Sequence, residues 1–78
     1  MKLDFYKTKR YTYIVADNVT FQKKEQGYPQ VNEVAFETVE AQNFTSHPTF
    51  SIEIDGEVTT QSIIEAYTKY CEFCKNAH

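Results

Sequence analysis

Lysine and arginine are missing from 44 consecutive positions of this chain, residues 25 to 68. The same stretch holds eight carboxylates: Glu25, Glu33, Glu37, Glu40, Glu53, Asp55, Glu57 and Glu65. Without local cations to neutralise them, these groups should project a negative field to solvent. Tryptophan is absent, and glycine and proline are limited to two residues each. A flexible linker or a low-complexity tract needs far more of both, so neither describes this chain. Two cysteines cannot build the disulfide framework of a small secreted domain, and a reducing compartment would leave both as thiols. No apolar run approaches the ~18 residues of a membrane span. Also missing are a glycine-rich phosphate loop, an H-E-x-x-H pair and a G-x-S-x-G elbow. Ser46 and His47 are mere sequence neighbours, which makes no triad, and so short a chain should have little room for a pocket of ~300 Å³. The expectation is a protein that is not an enzyme.

What is present points to a folded chain. Of 78 residues, 41% are hydrophobic and 15% aromatic, richer than disordered sequences. The length suits a single small globular domain, 1–78, burying only about 60% of its unfolded surface and so marginally stable. "MKLDFYKTKR" has no apolar core of signal-peptide length, which directs the reading to the cytoplasm. The matches at Asn18-Val19-Thr20 and Asn43-Phe44-Thr45 are then chance glycosylation patterns. The net charge of −3 hides a segregation. Residues 1–24 carry six cations against Asp4 and Asp17, +6 − 2 = +4; residues 25–68 carry −8; residues 69–78 carry Lys69 and Lys75 against Glu72, +1.

The periodicity predicts a small α+β fold: an antiparallel β-sheet packed against a C-terminal helix. A hairpin over about 9–24 turns at Asp17-Asn18, residues that tolerate positive φ. Its register should oppose Ala16 to Val19, Ile14 to Phe21 and Thr12 to Lys23, with Tyr11, Tyr13 and Lys24 on the wetter face. A strand over about 49–54 alternates Phe50, Ile52 and Ile54 against Ser51, Glu53 and Asp55, and Asp55-Gly56 turns the chain. Val58 to Thr60 could return as a short partner strand. The helix over about 62–75 would begin with Ser62-Ile63-Ile64-Glu65 as a capping box. Ile63, Tyr67, Tyr70, Cys71 and Cys74 form its apolar stripe. For 32–42, helix is preferred over strand, because Asn32 suits an N-cap and good helix formers follow.

Three sites compete. Cys71, Cys74 and His78 stand at i, i+3 and i+7, and with His47 they would supply the four soft ligands of a structural zinc. Against zinc, both cysteines are in phase with the buried stripe, where a thiol behaves as a small hydrophobe. Redox chemistry is disfavoured, because the pair sits at a helix end whose dipole opposes a thiolate. Arg10, Tyr11, Tyr13 and Lys24 could stack and neutralise single-stranded nucleic acid, yet the sequence pI of about 5.2 argues against it. The leading reading is a protein–protein interaction module, an acidic inhibitor or regulator that needs no cofactor. Its acidic face (Glu33, Glu37, Glu40, Glu53, Asp55 and Glu57) would dock on a basic, nucleic-acid-binding partner protein. Zinc stabilisation ranks second, and nucleic-acid contact third. An open strand edge would also permit a homodimer.

Overall fold

A computed structural model describes residues 1–25, 36–42 and 44–76. Five strands, β1 (Lys2–Lys7), β2 (Tyr11–Ala16), β3 (Val19–Lys24), β4 (Glu37–Val39) and β5 (Phe50–Glu53), precede one helix, α1 (Thr60–Asn76). The strands form an antiparallel sheet in the order β4-β3-β2-β1-β5, which with α1 makes a small α+β fold.

The β2–β3 hairpin has the register that alternation requires: Ala16 opposes Val19, Ile14 opposes Phe21, Thr12 opposes Lys23 and Tyr11 opposes Lys24. Asp17 takes φ 58°, the left-handed conformation that a two-residue turn demands. Strand β1 is an element that the reading of "MKLDFYKTKR" passed over. Its alternation is plain once paired: Leu3 and Phe5 go inward, Asp4 and Tyr6 outward. A tight turn joins it to β2, with Thr8 N–H donating to Tyr11 O at 2.9 Å.

The helix lies on the face that carries Leu3, Phe5, Ile14 and Ala16. Ile63, Ala66, Tyr67 and Tyr70 complete this core, with Cys71 and Cys74 partly buried against it. Phe5 stacks on Tyr70 at 4.8 Å and meets Phe50 edge-on at 5.6 Å. The expected stripe is therefore present, with Ala66 as an additional member.

Three local expectations change. Residues 37–39 are a strand rather than part of a helix over 32–42; residues 32–35 lie outside the described residues. The strand forms by extending the sheet edge: Val39, Thr38 and Glu37 pair with Thr20, Phe21 and Gln22, and Val39 is half-buried. Val58–Thr60 adds no strand: Gly56 takes φ 80° and the chain bends directly into the helix. The cap lies at Thr59 rather than Ser62. Ser62 N–H donates to Thr59 Oγ1 at 3.1 Å, and Thr59 N–H donates to Ser62 Oγ at 2.8 Å. This reciprocal pair satisfies two backbone donors, and the helix starts at Thr60, two residues before the expected 62.

On the opposite face, Phe44 lies in the connection between the two edge strands β4 and β5. It stacks on Tyr6 at 4.0 Å and tilts against Tyr13 at 5.3 Å, so the connection passes over this face. Among the described residues, no helix is long and apolar enough to cross a membrane.

Replacing the N-cap, Thr59→Ala, should cost about 1 kcal/mol in urea unfolding. A loss under ~0.3 kcal/mol would mean the reciprocal cap does not hold the helix start.

Candidate functional site

A hydrogen-bonded polar cluster is buried between the sheet and the helix. Backbone pairing carries β3 one residue past its end, with Glu25 N–H donating to Arg10 O at 2.7 Å. That places the Glu25 side chain on the same face as Lys23, two residues back. Lys23 and Glu25 are only 8% and 5% exposed. Lys23 Nζ donates to Glu25 Oε1 at 2.6 Å and lies 5.1 Å from the centre of the Tyr67 ring. Tyr67 Oη donates to both carboxylate oxygens at 2.8 and 2.9 Å, and Thr12 Oγ1 donates to Oε2. Three donors, one of them the opposite charge, thus satisfy a carboxylate that could not be left unpaired there. Glu25 was counted among the unpaired carboxylates of the acidic segment; the cation just outside that segment neutralises it instead.

Burial and the hydrogen bond to Glu25 both raise the Tyr67 hydroxyl above its ordinary titration range. Burial likewise raises Tyr70. Its hydroxyl is fully buried and finds no hydrogen-bond partner among the described residues. Thr12, Lys23, Glu25 and Tyr67 are each occupied in holding another of the four. It is a structural site.

The acidic residues divide. Antiparallel pairing sets Lys2 beside Glu53, and sets the β2–β3 turn at the same end of the sheet as Val39. Glu53, Asp55, Glu57, Glu40 and the turn residue Asp17 therefore gather toward one end, all exposed. The N-terminal amine is 3.5 Å from Glu53, and Lys2 is beside it. Glu37, opposite Gln22, belongs toward the other end and the other edge, four strands from Glu53. Glu33 lies outside the described residues. A single acidic face containing Glu37 and Glu53 is not what the sheet builds; an acidic end is.

The basic and aromatic set, by contrast, comes together. Tyr11 is opposite Lys24 in the register, Arg10 precedes it in the turn, and Tyr13 is 6.0 Å from Tyr11 between ring centres. Lys7 and Lys9 flank the same turn, exposed like Arg10 and Lys24. Tyr6 joins this group through its pairing with Tyr13, which sequence alternation could have indicated had β1 been read as a strand.

Cys71 and Cys74 are free thiols, half-buried on α1. Burial pushes the Cys71 thiol above its ordinary value. Among the described residues no three of histidine, cysteine, aspartate and glutamate converge as a metal would require. His47 is exposed in the connection before β5, and His78 lies outside the described residues.

A cleft of about 380 Å³ opens beside the helix start, lined by Phe21, Phe36, Val58, Ile63, Ile64 and two threonines. It exceeds the room expected of so short a chain. Among the described residues its lining carries no ionisable group, so these side chains offer neither acid, base nor charged nucleophile to a bound molecule. Comparison with protein-family models, curated proteins and solved structures finds no match to this chain.

Removing one partner of the buried pair should be far worse than removing both. Lys23→Met should cost about 3–5 kcal/mol in chemical unfolding, enough to unfold much of so small a protein. Lys23→Met with Glu25→Leu should regain most of that loss. Equal losses in the single and double variants would show that the charge pairing is not what matters.

The two buried tyrosines set an alkaline limit. Their folded-state values lie above that of the unfolded chain, near 10.0, so the neutral phenols stabilise the fold. This contribution is complete below pH 10.0 and is lost as pH rises toward the folded values, because the unfolded chain ionises first. Unfolding free energy should fall above about pH 10, and less steeply in Tyr70→Phe. Near neutral pH, Tyr70→Phe should match the parent or exceed it, since it deletes an unpaired buried hydroxyl. An unchanged alkaline slope in that variant would exclude Tyr70 from the titration.

Proposed function

We propose that this chain is a non-enzymatic protein-binding module whose acidic end docks on a basic surface of a partner protein, as a small inhibitor or regulator would. One observation carries the reading: Asp17, Glu40, Glu53, Asp55 and Glu57 gather, exposed, toward the same end of the sheet. Two cations oppose them there among the described residues, the N-terminal amine and Lys2. The residual negative potential suits steering toward a cationic partner, the kind of surface found on nucleic-acid-binding proteins. Among the described residues, the buried charges belong to the Lys23–Glu25 cluster and the cleft lining includes no ionisable group. Both features favour recognition over catalysis.

The orientation of the helix is compatible with these charges. Its N-terminus, with the positive end of the dipole, follows the Asp55-Gly56-Glu57 turn, and Lys75 occupies its last turn. Each sign of fixed charge is thus placed where the helix tolerates it, so the acidic end need not destabilise the fold.

The test uses the whole chain as bait against host lysate, beside a Glu53→Gln, Asp55→Asn, Glu57→Gln variant. Captured protein should elute as salt rises from ~50 to ~300 mM, where the Debye length shortens. The triple variant should bind it about tenfold more weakly at low salt, from roughly 0.5 kcal/mol per charge. Capture indifferent to both salt and the variant would defeat the proposal.

A further inference from the structure

We propose that the opposite end of the molecule, the tyrosine face of the sheet with its basic turn, binds single-stranded nucleic acid. This function is separate from the docking of the acidic end and uses none of its residues.

The face away from α1 carries Tyr6, Tyr11 and Tyr13 on neighbouring strands, all half-buried. Phe44 already shows what these rings accept. It lies nearly parallel to Tyr6, with 7° between the planes and 4.0 Å between the centres, and it also touches Tyr13. A flat ring therefore stacks on this face in the way an unpaired base would. Phe44 makes no ring contact with Tyr11, which stands at the margin of the patch beside the charges. Lys24 pairs with Tyr11 across the strands, and Lys7, Lys9 and Arg10 surround the turn that leads into it. An aromatic platform edged by exposed cations is the arrangement that takes a base on its surface and phosphates along its rim.

The acidic pI is the objection, and the fold answers it. A six-residue strand at about 3.4 Å per residue separates the acidic end from the basic turn by roughly 17–20 Å. That is about two Debye lengths at physiological salt, near 8 Å each. Phosphates at the turn are thus largely screened from Asp17, Glu53, Asp55 and Glu57. Glu25 is neutralised by Lys23 inside the core. Asp4 is also on this face, two residues from Tyr6, but it accepts from Ser51 Oγ at 2.7 Å and lies 3.8 Å from Lys2 Nζ. Among the described carboxylates, Glu37 shares this face nearer the basic end, on β4 beyond Gln22. Lys7, Lys9, Arg10 and Lys24 outnumber it.

The occupant is single-stranded rather than duplex because stacking needs an exposed base face, which a duplex hides. The test is fluorescence anisotropy of a labelled ten-residue oligothymidylate with the full chain at ~50 mM salt, repeated at rising salt. Binding should fall with a log–log slope of about −2 to −3, as for three or four phosphate contacts on a single strand. Arg10→Gln with Lys24→Gln should flatten that slope by about 1.4, two contacts at roughly 0.7 each. Tyr11→Ala should weaken binding about tenfold or more with an unchanged thermal unfolding curve, since Tyr11 is outside the core. A self-complementary duplex of the same length should bind more weakly than the single strand.

Absence of binding at ~50 mM salt overturns the proposal, as does binding that survives Tyr11→Ala intact. Polyglutamate bound as well as the oligonucleotide would reassign the surface to an acidic protein. Salt-sensitive self-association blocked by Arg10→Gln and Lys24→Gln would reassign it to the acidic end of a second copy. The acidic-end triple variant should retain oligonucleotide binding, so loss of one function is distinguishable from loss of the other.

Discussion

A carboxylate buried beneath a helix is the constraint around which this small fold is arranged. Glu25 sits one residue past the end of β3, and it can be there only because Lys23, Thr12 and Tyr67 all deliver protons to it. Those three residues come from β3, β2 and α1. The cluster therefore ties the central hairpin to the helix at one point and in one orientation. Apolar packing between the same surfaces would be less particular about helix rotation, because dispersion contacts are not directional. A satisfied buried charge is particular: a turn of the helix that withdrew Tyr67 would strip the carboxylate of a donor. Around this point the aromatic contacts are ordinary core, with Phe5, Phe50 and Tyr70 closing the other side.

The cluster also has a consequence at the surface. By consuming Lys23 and Glu25 internally, it removes one charge of each sign from the exterior. The remaining charges sort along the strands, acidic toward the end with the Asp17-Asn18 turn and basic toward the Thr8–Arg10 turn. Two recognition chemistries can coexist on such a molecule because salt screens one end from the other over a strand length. On a chain with intermingled charges, neither potential would survive at a distance.

Much of the architecture was legible in the residues. The β2–β3 register followed from alternation and one turn, since a period of two leaves a single pairing that buries Ile14 and Phe21 together. The α1 stripe followed from helical spacing. Less legible was anything depending on partners distant in sequence. Strand β1 has charged residues at alternate positions, and "KLDFYK" reads as a strand only when Ala16 and Ile52 are known to flank Leu3. Residues 37–39 compose equally well as helix or strand, and pairing with β3 decided the matter. Local propensity is a weak prior where one additional sheet neighbour can outweigh it. The candidate sites divide in the same manner: Arg10, Tyr11, Tyr13 and Lys24 belong to one hairpin and lie together, whereas the acidic set is spread over several elements.

By itself, then, the sequence determined the charge segregation, the hairpin with its outward tyrosines, the strand at Phe50 and the helix with its buried face. These are properties of neighbours along the chain, set by side-chain periodicity and turn chemistry. Only the tertiary structure decided that Glu25 is an internal anion, that Glu37 and Glu53 stand at opposite edges, and that Phe44 stacks on Tyr6. The physical reason is distance: each depends on groups brought together from separate elements, and a charge or a ring has no fixed role until its neighbours in space are known.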